Sequence, residues 1–143
     1  MANPPPAAVV RVGTSGWQYD HWKEVFYPPE LGTGERFGYF CRHFDTVEVN
    51  NTFYHLPERE TFDAWAKQAP EGFLYTLKFS RYGTHMKKLK DPQGTIGLFL
   101  DRAERLGEHL GAILVQLPPQ LGGQPRAAGC LSRRGRQRTP LGS

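Results

Sequence analysis

Polar side chains interrupt apolar runs at alternate positions. Arg11 stands between Val10 and Val12, Glu48 and Asn50 flank Val49, Lys78 separates Leu77 from Phe79, and Gln116 separates Val115 from Leu117. Alternation is the two-residue period of a β-strand, so each run describes a strand with one apolar face and one polar face. A carboxylate, an amide and an ammonium gathered by neighbouring strands can take up a proton, orient a ligand and bind an anion. Aromatic and cationic residues follow each strand. Trp17, Tyr19, His21, Trp22, Phe26 and Tyr27 come after the first, and Phe53, Tyr54 and His55 after the second. Ser80, Arg81, His85 and the lysines 87, 88 and 90 come after the third. Aromatic faces beside cations suit a planar or phosphorylated ligand. The bland alternatives stand beside this reading. Arg11, Glu48 and Lys78 can pair with one another inside the fold, since a buried charge needs a partner. The aromatics can pack as a lid, and the lysines can form a solvated loop face.

More specific chemistry is sparse. Glu48 has no acidic strand-end partner of the kind a glycosidase needs. His21, His43, His55, His85 and His109 show no metal-ligand spacing, and His43 and His109 fall on helix surfaces or ends, so no metal is assigned. There is no G-x-S-x-G elbow. Ser15, in Gly13-Thr-Ser-Gly-Trp17, follows the first strand in a turn whose backbone N–H groups could face an anion, and this is preferred to a nucleophilic serine. Lys78 could form a Schiff base if desolvated, but anion binding is the milder role. Neither nucleotide-binding glycine pattern follows the first strand, and the residues leave the cofactor unassigned.

The elements that must position these residues alternate. Residues 9–13 read as a strand, followed by a long loop from Thr14 to Gly34. Phe37, Phe40, Cys41 and Phe44 recur at helical spacing within 35–44. Thr46–Asn50 is a strand. Pro57 opens a helix carrying Phe62, Trp65, Ala66 and Ala69 inward, and Pro70 stops it. Phe73–Phe79 is a strand. Thr95 caps a helix with Ile96, Phe99, Leu100, Ala103 and Leu106 inside, and Gly107 suits its end. Ala112–Leu117 is the last strand. The β-α-β-α-β-α-β order predicts a parallel sheet with helical crossovers. Its apolar face should hold Val10, Val12, Val47, Val49, Phe73, Tyr75, Leu77, Phe79, Ile113, Val115 and Leu117 against the helices. Strand centres near 11, 48, 76 and 114 are spaced by about 37, 28 and 38 residues, close to the roughly 31 per unit of a (β/α)₈ barrel. Four strands are half of such a barrel; the alternative is a complete small open α/β sheet.

The chain has 143 residues with 38% hydrophobic, 13% aromatic and 22% charged side chains. This is a globular balance for one domain. No apolar run is long enough to span a membrane, the start lacks the features of a signal peptide, and Cys41 and Cys130 make no framework. Those features lead us to expect a cytoplasmic protein without membrane partners. The net charge of +4 is unevenly placed. Residues 1–121 carry 13 Lys and Arg against 14 Asp and Glu, whereas residues 122–143 carry five Arg and no acid. The body is near neutral, so the basic balance argues only weakly for nucleic acid. Residues 1–8 and the Arg/Gly/Pro-rich 122–143 are expected to be disordered. The latter reads as a basic arm, an ordinary terminus, or a product of frameshift, the third being preferred.

Four motifs resemble those of the YecE-like family, also called domain of unknown function 72. They are Gly13-Thr-Ser-Gly-Trp-Gln-Tyr19 with Trp22 and Phe26-Tyr-Pro28; His43-Phe-Asp-Thr-Val-Glu-Val-Asn-Asn-Thr-Phe-Tyr-His-Leu-Pro57; Lys78-Phe-Ser-Arg81 with Thr84-His85; and Val115-Gln-Leu-Pro-Pro119. The family is similar in fold to TIM barrels and about twice as long as the matched stretch. The resemblance implies a partial (β/α)₈ barrel over residues 9–121 with a pocket at the strand C-termini, and the likeness ends at Leu121. It places Trp17, Glu48, Asn50, Phe53, Tyr54, Lys78, Arg81, His85 and Gln116 around that pocket. Glu48 is then expected as base or metal ligand, Lys78 and Arg81 as anion binders, and His85 as acid or ligand. Trp17, Tyr19 and Tyr54 are expected as ligand-binding aromatics. The implied ligand is a phosphorylated sugar or nucleotide-like molecule. A nucleic-acid-binding protein using the tail and the Arg81–Lys90 loop is the alternative. A half-barrel would expose a strand edge, so self-association and inactivity of the lone chain are expected.

Overall fold

The computed structural model describes residues 9–81 and 92–117. Four strands, β1 (Thr14–Ser15), β2 (Thr46–Val49), β3 (Leu74–Lys78) and β4 (Leu110–Leu114), form one sheet in the order β1-β2-β3-β4. Every pairing is parallel, as the alternation of elements predicts. The helices are α1 (Arg36–Phe40), α2 (Asn51–Tyr54), α3 (Arg59–Gln68) and α4 (Pro92–Ala103), with 3₁₀ turns at Asp20–Trp22, Thr33–Glu35 and Glu104–His109.

The apolar face of the sheet is the one the alternation assigns. Val47, Val49, Phe73, Tyr75, Leu77 and Phe79 are all buried, against Phe37 and Phe40 of α1, Phe62 of α3 and Phe99 of α4. The Tyr75 ring stacks on Phe37 with centroids 5.8 Å apart, and its hydroxyl donates to the Trp65 carbonyl at 3.0 Å. Burying an aromatic side chain of this size stabilises a fold by about 1.5–3 kcal/mol. Ion pairs on the surface tie α3 to the end of the chain's next helical segment: Arg59 to Asp101 at 2.8 Å and Arg105 to Asp63 at 2.6 Å. The Arg105 guanidinium, by direct hydrogen bonding, holds the Asp63 carboxyl below its usual range.

Several expected boundaries move. The first strand is not 9–13 but the next two residues, and Val9, Val10 and Val12 are exposed rather than packed on helices. The reason is pairing: the ladder to β2 begins at Thr14↔Val47. Gly13 makes the close approach possible, since a Cβ there would lie 2.1 Å from the Thr46 carbonyl oxygen. Arg11 accordingly does not join Glu48 and Lys78. It sits at the opposite end of the strands, bound to the Asp45 carboxylate at 2.7 Å and donating to the Gly72 carbonyl at 2.9 Å.

Pro57 does not open α3. It precedes Glu58, the extended cap residue, and the helix runs from Arg59 to Gln68. Thr95 does not cap α4, which starts three residues earlier at Pro92, a residue whose missing N–H suits a first helical position. Gly107 does turn the chain at the end of this segment, with φ +54°. β4 is Leu110–Leu114 rather than 112–117, and Leu117 is exposed. His109 falls at a helix end, as expected, but is buried there, and its Nδ1 lies 2.9 Å from the Phe73 carbonyl, where it joins the base of β3 to the start of β4. No helix among the described residues is long and apolar enough to cross a membrane.

Candidate functional site

Parallel strands in register bring their final residues to one edge. Ser15 ends β1 and is paired with Glu48. Asn50 follows the last residue of β2, and Lys78 is the last residue of β3. Their side chains form a row across the three strands. The Lys78 ammonium lies 3.4 Å from the Asn50 carbonyl oxygen. The Asn50 amide nitrogen donates to the Ser15 hydroxyl oxygen, and the Ser15 hydroxyl donates to the Glu48 carboxylate at 3.0 Å. Each group plays the role its chemistry allows: the ammonium and amide nitrogen donate, the carboxylate accepts, and the hydroxyl does both. Glu48 and Lys78 thus stand at opposite ends of one row, separated by two neutral groups.

The local sequence builds this row. Gly16 has φ +85°, and a Cβ there would meet the Tyr19 hydroxyl at 2.8 Å. Only glycine adopts this conformation without strain. The resulting turn lets the Gly16 N–H reach the Glu48 carbonyl at 2.8 Å and the Tyr19 hydroxyl donate to the Ser15 carbonyl. That Gly16 amide, expected to face an anion, is therefore committed to β2. On the other side, the buried Thr52 hydroxyl contacts the Val49 carbonyl at 3.0 Å and the Lys78 carbonyl at 2.7 Å. It ties the start of α2 to the ends of β2 and β3. Phe53 lies beneath Lys78, whose Nζ is 5.0 Å from its ring centroid, a distance at which a cation is held by the π face.

The other expected residues divide. Glu48, Asn50 and Lys78 come together as expected. Tyr19 is near them, holding the Ser15 backbone. Tyr54 is 73% exposed beyond Phe53, and Gln116 and Arg81 are exposed. Phe53 is buried. Trp17 is turned into the core, 7% exposed, against Phe37 and Trp65, so its ring builds the apolar layer and not the strand-end surface. His85 and the lysines 87, 88 and 90 lie outside the described residues. Among the described residues no three His, Cys, Asp or Glu side chains gather closely enough to hold a metal ion. One contributor was missed from the amino-acid pattern, Thr52, and another, Ser15, was singled out for its turn and not for its side chain. Thr52 carries no motif beyond its place after Asn50-Asn51. Ser15 becomes visible once the first strand is extended by two residues, because it then stands level with Glu48.

The fold and this edge define an α/β protein with a parallel sheet and a polar strand-end row. The chain belongs to the family described as protein of unknown function DUF72, whose model matches residues 11–140. The match runs past Leu121 into the arginine-rich segment, further than the motifs alone suggest. The UPF0759 protein YecE of Escherichia coli strain K12 is 29% identical over 114 residues, covering 80% of this chain and 39% of that protein. The UPF0759 protein YunF of Bacillus subtilis strain 168 is 29% identical over 70 residues, covering 49% of this chain and 24% of that protein. A solved DUF72 family protein of Thermotoga maritima MSB8 superposes with a TM-score of 0.72 at 31% identity, covering 87% of this chain and 50% of that one. A second, from Enterococcus faecalis V583, shares the fold with a TM-score of 0.55 at 23% identity, covering 64% of this chain and 39% of that one. The chain therefore spans half or less of the length of each of these proteins.

Proposed function

We propose that the C-terminal edge of the sheet binds a phosphorylated sugar or nucleotide-like ligand, with Lys78 meeting the anion and Glu48 serving as base. The observation that carries this reading is the directed row from Lys78 through Asn50 and Ser15 to Glu48. A direct ion pair would cancel both charges. Here two neutral groups keep the cation and the carboxylate apart, so each retains capacity for a ligand. An ammonium has three N–H donors, and Asn50 and the face of Phe53 engage only part of that capacity. Arg81, exposed three residues beyond Lys78, is a second cation just past the end of β3. His85 keeps its expected role as acid or ligand on its motif alone.

On this reading the four strands are consecutive βα units of a TIM barrel. The sequential parallel order and the coverage of half a solved family member support it, and barrel enzymes place their chemistry at the strand C-termini. The outer edges of β1 and β4 are then surfaces for further strands or for a second copy. The analogy supplies location and not reaction.

Calorimetric titration with inorganic phosphate and with a nucleoside monophosphate tests the site. Lys78→Met and Glu48→Gln should each weaken binding, Lys78→Met by about tenfold or more, equivalent to about 1.4 kcal/mol. Unchanged affinity in both removes these roles. Tighter binding of an oligonucleotide, falling steeply with salt and lost on deleting residues 122–143, would favour a nucleic-acid partner instead.

A further inference from the structure

The hydroxyl of Ser15 is held in an arrangement that a merely structural link does not need. Its proton points to a carboxylate, Glu48 Oε1 at 3.0 Å. One oxygen lone pair accepts from the Asn50 amide. A hydroxyl oxygen has two lone pairs, so one remains, on a residue that is exposed at the strand ends. The backbone beneath it is fixed from three sides: by the ladder to β2, by the Gly16 N–H on the Glu48 carbonyl at 2.8 Å, and by the Tyr19 hydroxyl on its own carbonyl. A hydroxyl paired with a base, oriented by a third group and open on its remaining side is the arrangement of an activated nucleophile.

We propose that Ser15 is a nucleophile, with Glu48 as its base, that accepts a phosphoryl group from the ligand at the strand ends. The inference rests on the reading of that edge as a site for a phosphorylated ligand. In the step, the Ser15 Oγ–phosphorus bond forms and the bond from phosphorus to the leaving group breaks. The Oγ proton passes to the Glu48 carboxylate, and the leaving group departs with the bonding electron pair. Asn50 is a positioning residue that turns the hydroxyl proton toward Glu48.

An alkyl fluorophosphonate tests this on the whole chain, because the same step then expels fluoride and leaves a stable phosphonyl ester. Intact mass and peptide mapping should find one adduct, on Ser15, and none on that peptide in Ser15→Ala. Glu48→Gln should slow labelling by about 100-fold or more, the usual contribution of a general base. Should that variant lose its far-UV circular dichroism, Glu48→Asp, which keeps the charge but withdraws it by one methylene, should slow labelling as well. Asn50→Ala should slow it less than Glu48→Gln. Failure of the folded wild-type chain to label at Ser15 overturns the proposal, as does labelling at an unchanged rate without Glu48. Labelling that persists when phosphate and nucleoside monophosphate do not bind would strike the ligand reading and leave the nucleophile standing.

Discussion

The two ends of the sheet treat charge in opposite ways. At the N-terminal end, Arg11 and Asp45 meet directly at 2.7 Å, and the same guanidinium nitrogen also reaches the Gly72 carbonyl. At the C-terminal end, Lys78 and Glu48 are held apart by Asn50 and Ser15. The first network links the segments that lead into β1, β2 and β3, and the second links the ends of those strands. The first neutralises its charges, while the second keeps them available. The lesson is that a polar group on a strand is assigned a role by its position along the strand as much as by its face.

Substitutions can test how far this contrast goes. The largest effect is expected from Thr52→Val, which keeps the side-chain volume but removes the buried hydroxyl that ties α2 to the ends of β2 and β3. Leaving buried carbonyls without that donor should cost about 1–3 kcal/mol, read as a shift in the urea midpoint. A neutral result would mean that the C-terminal end is held by the strand ladder alone. Next in size, Lys78→Met should lower phosphate affinity about tenfold while changing unfolding free energy by about 1 kcal/mol or less. Parallel loss of stability would make Lys78 a structural cation like Arg11.

Arg11→Met should do the reverse. It should leave phosphate affinity unchanged and lower stability by about 0.2–1 kcal/mol, since both partners are partly exposed and the pair is screened by salt. A loss of affinity here would erase the difference between the two ends. A separate, pH-dependent effect concerns neither end but the aromatic layer beside them. Burial pushes the Cys41 thiol up to about 11 and the Tyr27 hydroxyl up to about 12, the latter against the opposing Arg36 charge. Both groups hold their protons more tightly when folded than when unfolded. Their contribution is therefore full below the unfolded values of 9.0 and 10.0 and fades as pH rises toward the folded ones. The melting temperature should fall modestly from about pH 9 upward, and Cys41→Ala should flatten the first part of that fall.

Much of this arrangement is legible in the amino-acid order. Val47 and Val49 alternate with Glu48 and Asn50, Phe73, Tyr75, Leu77 and Phe79 alternate with Leu74, Thr76 and Lys78, and all six are buried on one face. The same alternation puts Glu48 and Lys78 on the other face, where they are found. Trp17 was not legible. A tryptophan in a Gly-rich loop looks the same in sequence whether it covers a ligand or fills the core, and the choice fell to the space left between Phe37 and Trp65. Arg11 was misplaced because alternation marks an extended run and not where its ladder to the neighbouring strand begins.

The residue pattern by itself determined the parallel α/β order, the buried face and the presence of a carboxylate, an amide and an ammonium on the opposite one. These follow from periodicity and from the cost of leaving apolar side chains in water, both of which are local properties of the chain. Only the tertiary structure decided that the first ladder begins at Thr14, and hence that Ser15 stands level with Glu48 and joins it to Asn50 and Lys78. Register between strands whose paired residues lie 28 or 33 apart in the chain depends on close approach at Gly13 and on hydrogen bonds such as that from Thr52, which form only when the strands meet.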